Sequence, residues 1–196
     1  PSLGVFDDAL CAAWKGEWSD PQLYFSKYSG SAWEPQIQIP NAYSDTGPAL
    51  CQLGGTGTKK IAAWKNVFDQ TLYYATYDGT HWSSPSQISG VGSSVGPSLA
   101  SFGGKIYAAW KGEGSDQGLY YATYDGSSWS AQSSISGVAS SVGPSLAGVG
   151  DKLYAVWKGE STDETLYYAY YPYGPTKTWS SQTPIPASGS SMGAAI

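Results

Sequence analysis

One pattern recurs four times along this chain, and it limits the fold more than any other feature. Gly-Pro, then Ala or Ser, then Leu occurs at Gly47–Leu50, Gly96–Leu99 and Gly143–Leu146, and Pro1–Leu3 opens the chain in the same phase. An Ala-Ala-Trp-Lys run follows at Ala12–Lys15, Ala62–Lys65 and Ala108–Lys111, and at Ala155–Lys158 with Val156 in the second place. A Leu-Tyr run and a turn leading to Trp complete each unit. The units are 1–47, 48–96, 97–143 and 144–193, a period of 47 to 50 residues within one domain spanning 1–196. Each repeat of this kind is one supersecondary unit that buries its apolar faces only by packing on its neighbours.

Within a unit, four short runs of strand-forming residues are divided by Gly, Ser and Asp turns, as at Pro97–Ser101, Lys105–Lys111, Leu119–Tyr124 and Trp129–Ile135. These are strands A to D. No window holds a 3.6-residue apolar period free of Gly or Ser, so the chain is expected to lack helices. In strand C both faces are apolar or aromatic, Leu119 and Tyr121 on one and Tyr120, Ala122 and Tyr124 on the other. Each sheet must therefore be covered twice. Packing the sheets radially about an axis does this and leaves only short edges, which predicts an all-β, four-bladed β-propeller with four antiparallel strands per blade. A linear β-solenoid has shorter repeats and atypical ends, whereas the first and last units here look like the middle ones. The tail Gly193–Ile196 aligns with the start of a fifth unit.

Composition removes several classes of function. The formal charge is −5, with ten lysines and no arginine, so no basic face can neutralise a phosphate backbone and no nucleic-acid partner is expected. No apolar run approaches the roughly 20 residues of a membrane-spanning helix, and no membrane insertion is expected. The chain starts at Pro1, inside a strand-like segment, without a charged and then apolar leader; a secreted or extracellular location is the expectation, any leader having been removed. Cys11, Cys51 and the single His81 cannot assemble a Cys/His zinc site. The two cysteines fit either a disulfide between neighbouring repeats or two buried thiols. No cofactor is expected, although a cation on the propeller axis would suit the negative charge.

The C-to-D turn reads Thr-Tyr-Asp-Gly-Thr-His-Trp at 76–82 and Thr-Tyr-Asp-Gly-Ser-Ser-Trp at 123–129. This resembles the Asp-box hairpin of sialidase-type and several lectin propellers, with one residue fewer between Asp and Gly. The first unit has Ser29 for Asp, and the fourth, 171–179, is longer and has none. Asp and Gly suit a tight hairpin, and the later Trp fastens it to the sheet, so the motif concerns the fold. Over nearly the whole chain, the repeated Trp and the Tyr-rich strands resemble the propeller lectins of fungi, bacteria and invertebrates, including the tachylectin and Psathyrella types. That resemblance implies glycan or glycoprotein partners. Fucose-binding propeller lectins characteristically hold the sugar with an Arg, which this sequence lacks.

In such a blade the B–C and D–A loops emerge on one face of the disc and the A–B and C–D turns on the other. The B–C loops carry nearly all the recurring charge: Lys15, Glu17 and Asp20; Lys65 and Asp69; Lys111, Glu113 and Asp116; Lys158, Glu160 and Asp163. Sugar recognition needs carboxylates and amides for paired hydroxyls and an aromatic face for the C–H side of the ring. Trp18 and Phe68 lie in these loops as stacking candidates, and Trp14, Trp64, Trp110 and Trp157 stand at the end of strand B, either as further candidates or as packing between blades. The expected function is a lectin with repeated shallow sites on one face, multivalent toward neutral or N-acetylated sugars. A homo-oligomer is left open, and Asp116→Ala is expected to leave folding intact.

The expectation is that the protein is not an enzyme. Sialidase chemistry requires an arginine cluster for the substrate carboxylate. A glycoside hydrolase needs two carboxylates at a set separation, and Glu113 and Asp116 recur equivalently in several units where catalysis would single out one. His81, the one available base for serine chemistry, lies on the face away from the acidic loops. The remaining alternative is a hemopexin-like four-bladed interaction or metal-binding module.

Overall fold

The computed structural model describes residues 1–54, 59–175 and 177–193. Those residues form sixteen strands in four antiparallel sheets and contain no helix. Blade 1 comprises β1 (Ser2–Phe6), β2 (Ala9–Lys15), β3 (Gln22–Lys27) and β4 (Ile37–Tyr43), and blade 2 comprises β5 (Ala49–Gln52), β6 (Lys60–Lys65), β7 (Thr71–Tyr77) and β8 (Ser86–Gly92). Blade 3 has β9 (Ser98–Phe102), β10 (Lys105–Lys111), β11 (Gly118–Tyr124) and β12 (Ser133–Ala139); blade 4 has β13 (Ser145–Val149), β14 (Lys152–Lys158), β15 (Leu166–Pro172) and β16 (Thr183–Pro184). Each sheet is a meander in sequence order. The protein is an all-β, four-bladed β-propeller with four antiparallel strands per blade.

Local chemistry accounts for the turns. The A–B hairpins place Asp7 and Asp8 (φ 48° and 62°) or Gly103 and Gly104 (φ 56° and 75°) in the left-handed region, as a two-residue hairpin that follows strand twist requires. In the C–D turns, Oδ1 of Asp78 accepts the N–H groups of Thr80 and His81, each at 2.7 Å, and Asp125 does the same for Ser127 and Ser128. These bonds hold both carboxyls down at about 2. Strand D begins later than its residues predict. Trp129 makes one isolated bridge with Tyr124, Ser130 bonds back to Thr123, and the ladder resumes only at Ser133.

Consecutive blades mate face to face. Phe6, Cys11, Ala13, Leu23, Phe25 and Ile39 on the trailing face of blade 1 pack against Leu50, Ala62, Trp64, Ala75 and Trp82 on the leading face of blade 2. The same positions recur between blades 2 and 3, where Leu72 and Ile88 meet Ala108 and Trp110, and between blades 3 and 4, where Leu119 and Ile135 meet Ala155 and Trp157. Near the axis the seams run close. A Cβ on Gly96 would crowd Thr46 Oγ1 at 3.1 Å, and one on Gly148 would sit 2.8 Å from the Ser101 carbonyl, a separation that requires glycine. The Cys11 and Cys51 thiols are both free, and burial raises their pKa, that of Cys51 to about 12.

The expectation that every sheet is covered on both faces holds for blades 2 and 3. In blades 1 and 4 one face each stays largely open, because the extensive strand-A contacts run β1 to β5, β5 to β9 and β9 to β13, and β13 to β1 is not among them. The residues aligned with a fifth unit beyond Gly193 lie outside the described residues.

Two outcomes follow from this packing. Trp110 is fully enclosed in a seam, so Trp110→Ala should lower the unfolding free energy by about 3–5 kcal/mol, measured by urea denaturation; a loss no larger than that of a surface substitution would contradict the seam. Nuclear magnetic resonance should find the Asp125 carboxyl titrating near 2 in the folded protein rather than at the ordinary 3.8. Because the folded value is depressed, the stabilisation is complete above 3.8 and fades as the pH falls toward 2.

Candidate functional site

The B–C loops are built by one device used four times. Asp20, Asp69, Asp116 and Asp163 each turn Oδ1 to the backbone N–H two residues ahead, on Gln22, Thr71, Gly118 and Thr165. Each turns Oδ2 to a strand-C phenol, Tyr24, Tyr73, Tyr120 or Tyr167, at 2.9 to 3.2 Å. The bond to Asp raises the Tyr120 and Tyr167 phenols, and the Thr165 amide bond lowers Asp163. A loop of five to seven residues needs this closure because its own amides have no ladder to join. Asp116→Ala therefore removes a loop closure as well as a carboxylate.

Lys65, Lys111 and Lys158 are buried within the loops, and Lys15 is half-buried. Lys111 is buried, and its ammonium donates to the Gly112, Gly114 and Asp116 carbonyls and to Ser94 Oγ on the segment entering the blade. Lys158 repeats this with Gly159, Ser161, Asp163 and Ser141, while Lys65 pairs with Asp45 at 2.6 Å. Ser44 and Ser93, wholly buried, donate to the Lys65 and Lys111 carbonyls and complete a strap from one blade to the next. Carbonyls and a serine therefore satisfy Lys111 and Lys158, whereas Lys65 is held by an ion pair.

Of the strand-B tryptophans, Trp64, Trp110 and Trp157 are enclosed between blades and offer no ring face, whereas Trp14 is half-buried. Trp18 is 93 % exposed and holds a left-handed backbone (φ 48°) where blades 3 and 4 carry Gly114 and Ser161. Phe68 is 74 % exposed and lies 5.8 Å from Tyr43 across the first seam. Glu17, Glu113 and Glu160 point into solvent at the loop rims, with Glu113 lying over Gly92 of the preceding blade.

The chemistry-bearing residues converge at a seam. Between blades 3 and 4 a groove of about 310 Å³ is lined by Tyr120, Ser134 and Gly137 on one side and by Glu160, Asp163, Tyr167 and Gln182 on the other. A β-bulge in strand D, with Gly137 at φ 72°, opens it. Tyr120, Ser134, Tyr167 and Gln182 were not singled out from the sequence. Their one signal is that Tyr24, Tyr73, Tyr120 and Tyr167 recur at one position, which alternation alone assigns to sheet packing. On the opposite face a larger groove, about 620 Å³, is lined by Phe102, Tyr107, Tyr121, Tyr171 and Tyr173 with Lys105 and Lys177. Burial, with the Tyr171 phenol adjacent, pushes Tyr107 up to about 12. His81 lies in the C–D turn of blade 2 against Thr80. Among the described residues no group of three His, Cys, Asp or Glu is placed to hold a metal ion.

No family model and no curated protein matches this sequence. Solved structures do resemble it. AofleA from Arthrobotrys oligospora superposes on 95 % of this chain and 56 % of its own (TM-score 0.66, 10 % identity). The fucose-specific lectin from Aleuria aurantia superposes on 97 % of this chain and 62 % of its own (TM-score 0.65, 15 % identity). The GH43_1 enzyme from Xanthomonas citri complexed with xylose covers 93 % of this chain and 72 % of its own (TM-score 0.57, 15 % identity). The chain spans less than two thirds of the length of the lectins it matches. At these identities the likeness is one of fold, and the fold is that of the β-propellers used by both a lectin and glycoside hydrolases.

Proposed function

We propose that the protein is a lectin that binds neutral or N-acetylated sugars in the seams between blades on the B–C loop face. The observation that carries this reading is the groove between blades 3 and 4, where two carboxylates, two phenols and an amide surround a shallow cleft. Such a set offers donors and acceptors to adjacent hydroxyls, and the ring edges of Tyr120 and Tyr167 offer apolar contact to sugar C–H groups. Glu160 is the free carboxylate there, since Asp163 already holds the Thr165 amide and the Tyr167 phenol. The loop device recurs in every blade, so related sites at the other seams would bind weakly one by one and strongly together on a glycan-bearing surface. Glycoproteins outside the cell are the partners this arrangement suits.

The lectin from Aleuria aurantia shares the fold and is named for fucose, yet this chain has no arginine among its 196 residues. Fucosides therefore belong in any screen beside N-acetylglucosamine and galactose. The similar glycoside hydrolases raise the question of catalysis, but the Asp at this seam recurs in all four blades and the Glu in three, and each loop Asp is bound to a phenol in the same way. A binding role needs no single distinguished pair; hydrolysis does.

Glu160→Ala should weaken binding of the preferred neutral sugar about tenfold, the loss of one charge-assisted hydrogen bond, while Asp125→Ala on the opposite face should leave it unchanged; calorimetry reads both. Equal effects from the two variants would place the site elsewhere. In a competition screen, N-acetylglucosamine or galactose should displace a glycoprotein ligand and free sialic acid should not, because the groove already carries two carboxylates. Competition by sialic acid alone would overturn the specificity, and turnover of an aryl xyloside would overturn the non-enzymatic reading.

A further inference from the structure

The two open faces at the ends of the blade series are the two halves of a seam that the molecule already makes three times. On the leading face of blade 1, Leu3 is 66 % exposed and Trp33 47 %, whereas their counterparts Leu50, Leu146 and Trp82 are buried. Ala12, Trp14 and Trp33 surround an apolar hollow of about 360 Å³ there. On the trailing face of blade 4, Val149 is 62 % exposed, and Leu166 and Ile185 are half-buried; the matching Leu23, Leu72 and Leu119 are wholly buried. The same residues in the same register thus lack only a neighbour.

The aromatic geometry identifies the partner. At every internal seam a strand-C ring of one blade meets the turn tryptophan of the next edge-on: Phe25 with Trp82 at 5.2 Å, Tyr74 with Trp129 at 5.7 Å, and Tyr121 with Trp179 at 5.8 Å. Tyr168 holds the corresponding place on blade 4 without a following tryptophan, and Trp33 holds the corresponding place on blade 1 without a preceding ring. The polar strap is incomplete in the same sense. Lys111 and Lys158 each receive a serine from the preceding segment, but among the described residues Lys15 reaches only the Gly16 and Trp18 carbonyls. The tail beyond blade 4 nevertheless folds as a strap: Met192 N–H bonds Ser190 Oγ, as Thr46 and Val95 N–H bond Ser44 and Ser93. The faces also differ in charge, with Glu34 beside the hollow and Lys152 on blade 4 over the Tyr170 ring.

We infer that this chain associates head to tail with a second copy of itself, the trailing face of blade 4 in one copy seating on the leading face of blade 1 in the next and continuing the series of internal seams. Tyr168 of one copy then stands edge-on against Trp33 of the other, and the strap at Ser190 meets Lys15. Such a contact is heterologous, so it propagates until the blades close a ring. It also creates a further inter-blade groove at each junction.

The test uses light scattering on the 196-residue chain and two variants with charge placed on the open faces, Leu3→Asp and Tyr168→Asp, each first shown to retain the wild-type circular dichroism. The wild type should be an oligomer and each variant a monomer. An equimolar mixture of the two variants should form a one-to-one dimer of twice the monomer mass, because one keeps an intact trailing face and the other an intact leading face. A monomeric wild type, an oligomer that persists in both variants, or a mixture that stays monomeric would each overturn the proposal. If either variant fails to fold, Val149→Lys replaces Tyr168→Asp or Leu10→Lys replaces Leu3→Asp, with the same expected masses.

Discussion

Burial of one sheet face against the next is the interaction on which everything else in this protein depends. Each blade carries apolar groups on both faces, and no single sheet of four short strands can cover its own. The seam answers this with large groups in fixed roles: a strand-B tryptophan inserted from the leading side, a strand-C leucine and a strand-D isoleucine from the trailing side, and an edge-on aromatic pair farther out. Removing roughly 150–250 Å² of aromatic surface from water for each such ring makes the seam the main source of stability. The glycines near the axis follow from the same demand, since the blades approach too closely there for a side chain.

The seam also shapes the loops. In blades 3 and 4 the lysine at the end of strand B is drawn into the protein because the strap from the preceding blade and the carbonyls of its own loop surround it. An aspartate then closes the loop through an amide and a phenol. These polar groups are satisfied by one another, and their recurrence in all four blades reflects the requirement for a closed loop at each seam. What is left to face solvent at the rim is the glutamate, together with Trp18 and Phe68 in the first two blades. In the lectin reading we propose, ligand recognition falls to a few groups mounted on a framework of hydrogen-bonded ones, with a cleft beside the strand-D bulge.

Among the described residues the seams run in series from blade 1 to blade 4, and that order governs which faces are covered. Inner blades are covered twice and end blades once, so exposure in this molecule is set by position in the series rather than by residue type. Leu3 and Leu146 are the same residue at the same place in the repeat, one open to solvent and one enclosed. An apolar surface of this kind, on a protein otherwise rich in polar turns, is what the inferred contact between copies would bury.

Much of this was legible in the residues. The Gly-Pro-Ser-Leu and Ala-Ala-Trp-Lys recurrences set the number of units, the alternation in strand C required two covered faces, and the Gly and Asp turns marked the hairpins, because these depend on local backbone chemistry and a fixed period. The acidic loop face was legible for the same reason. Tertiary structure alone decided that Trp110 and Trp157 are enclosed, that Lys111 is saturated by carbonyls, that Tyr120 and Tyr167 line the groove, and that blades 1 and 4 keep an open face. Those outcomes turn on which neighbour lies across a seam, and a repeat with identical units carries no local signal of whether a given copy has one. Periodicity determined the blade; the number of neighbours each blade meets in space determined what its residues can do.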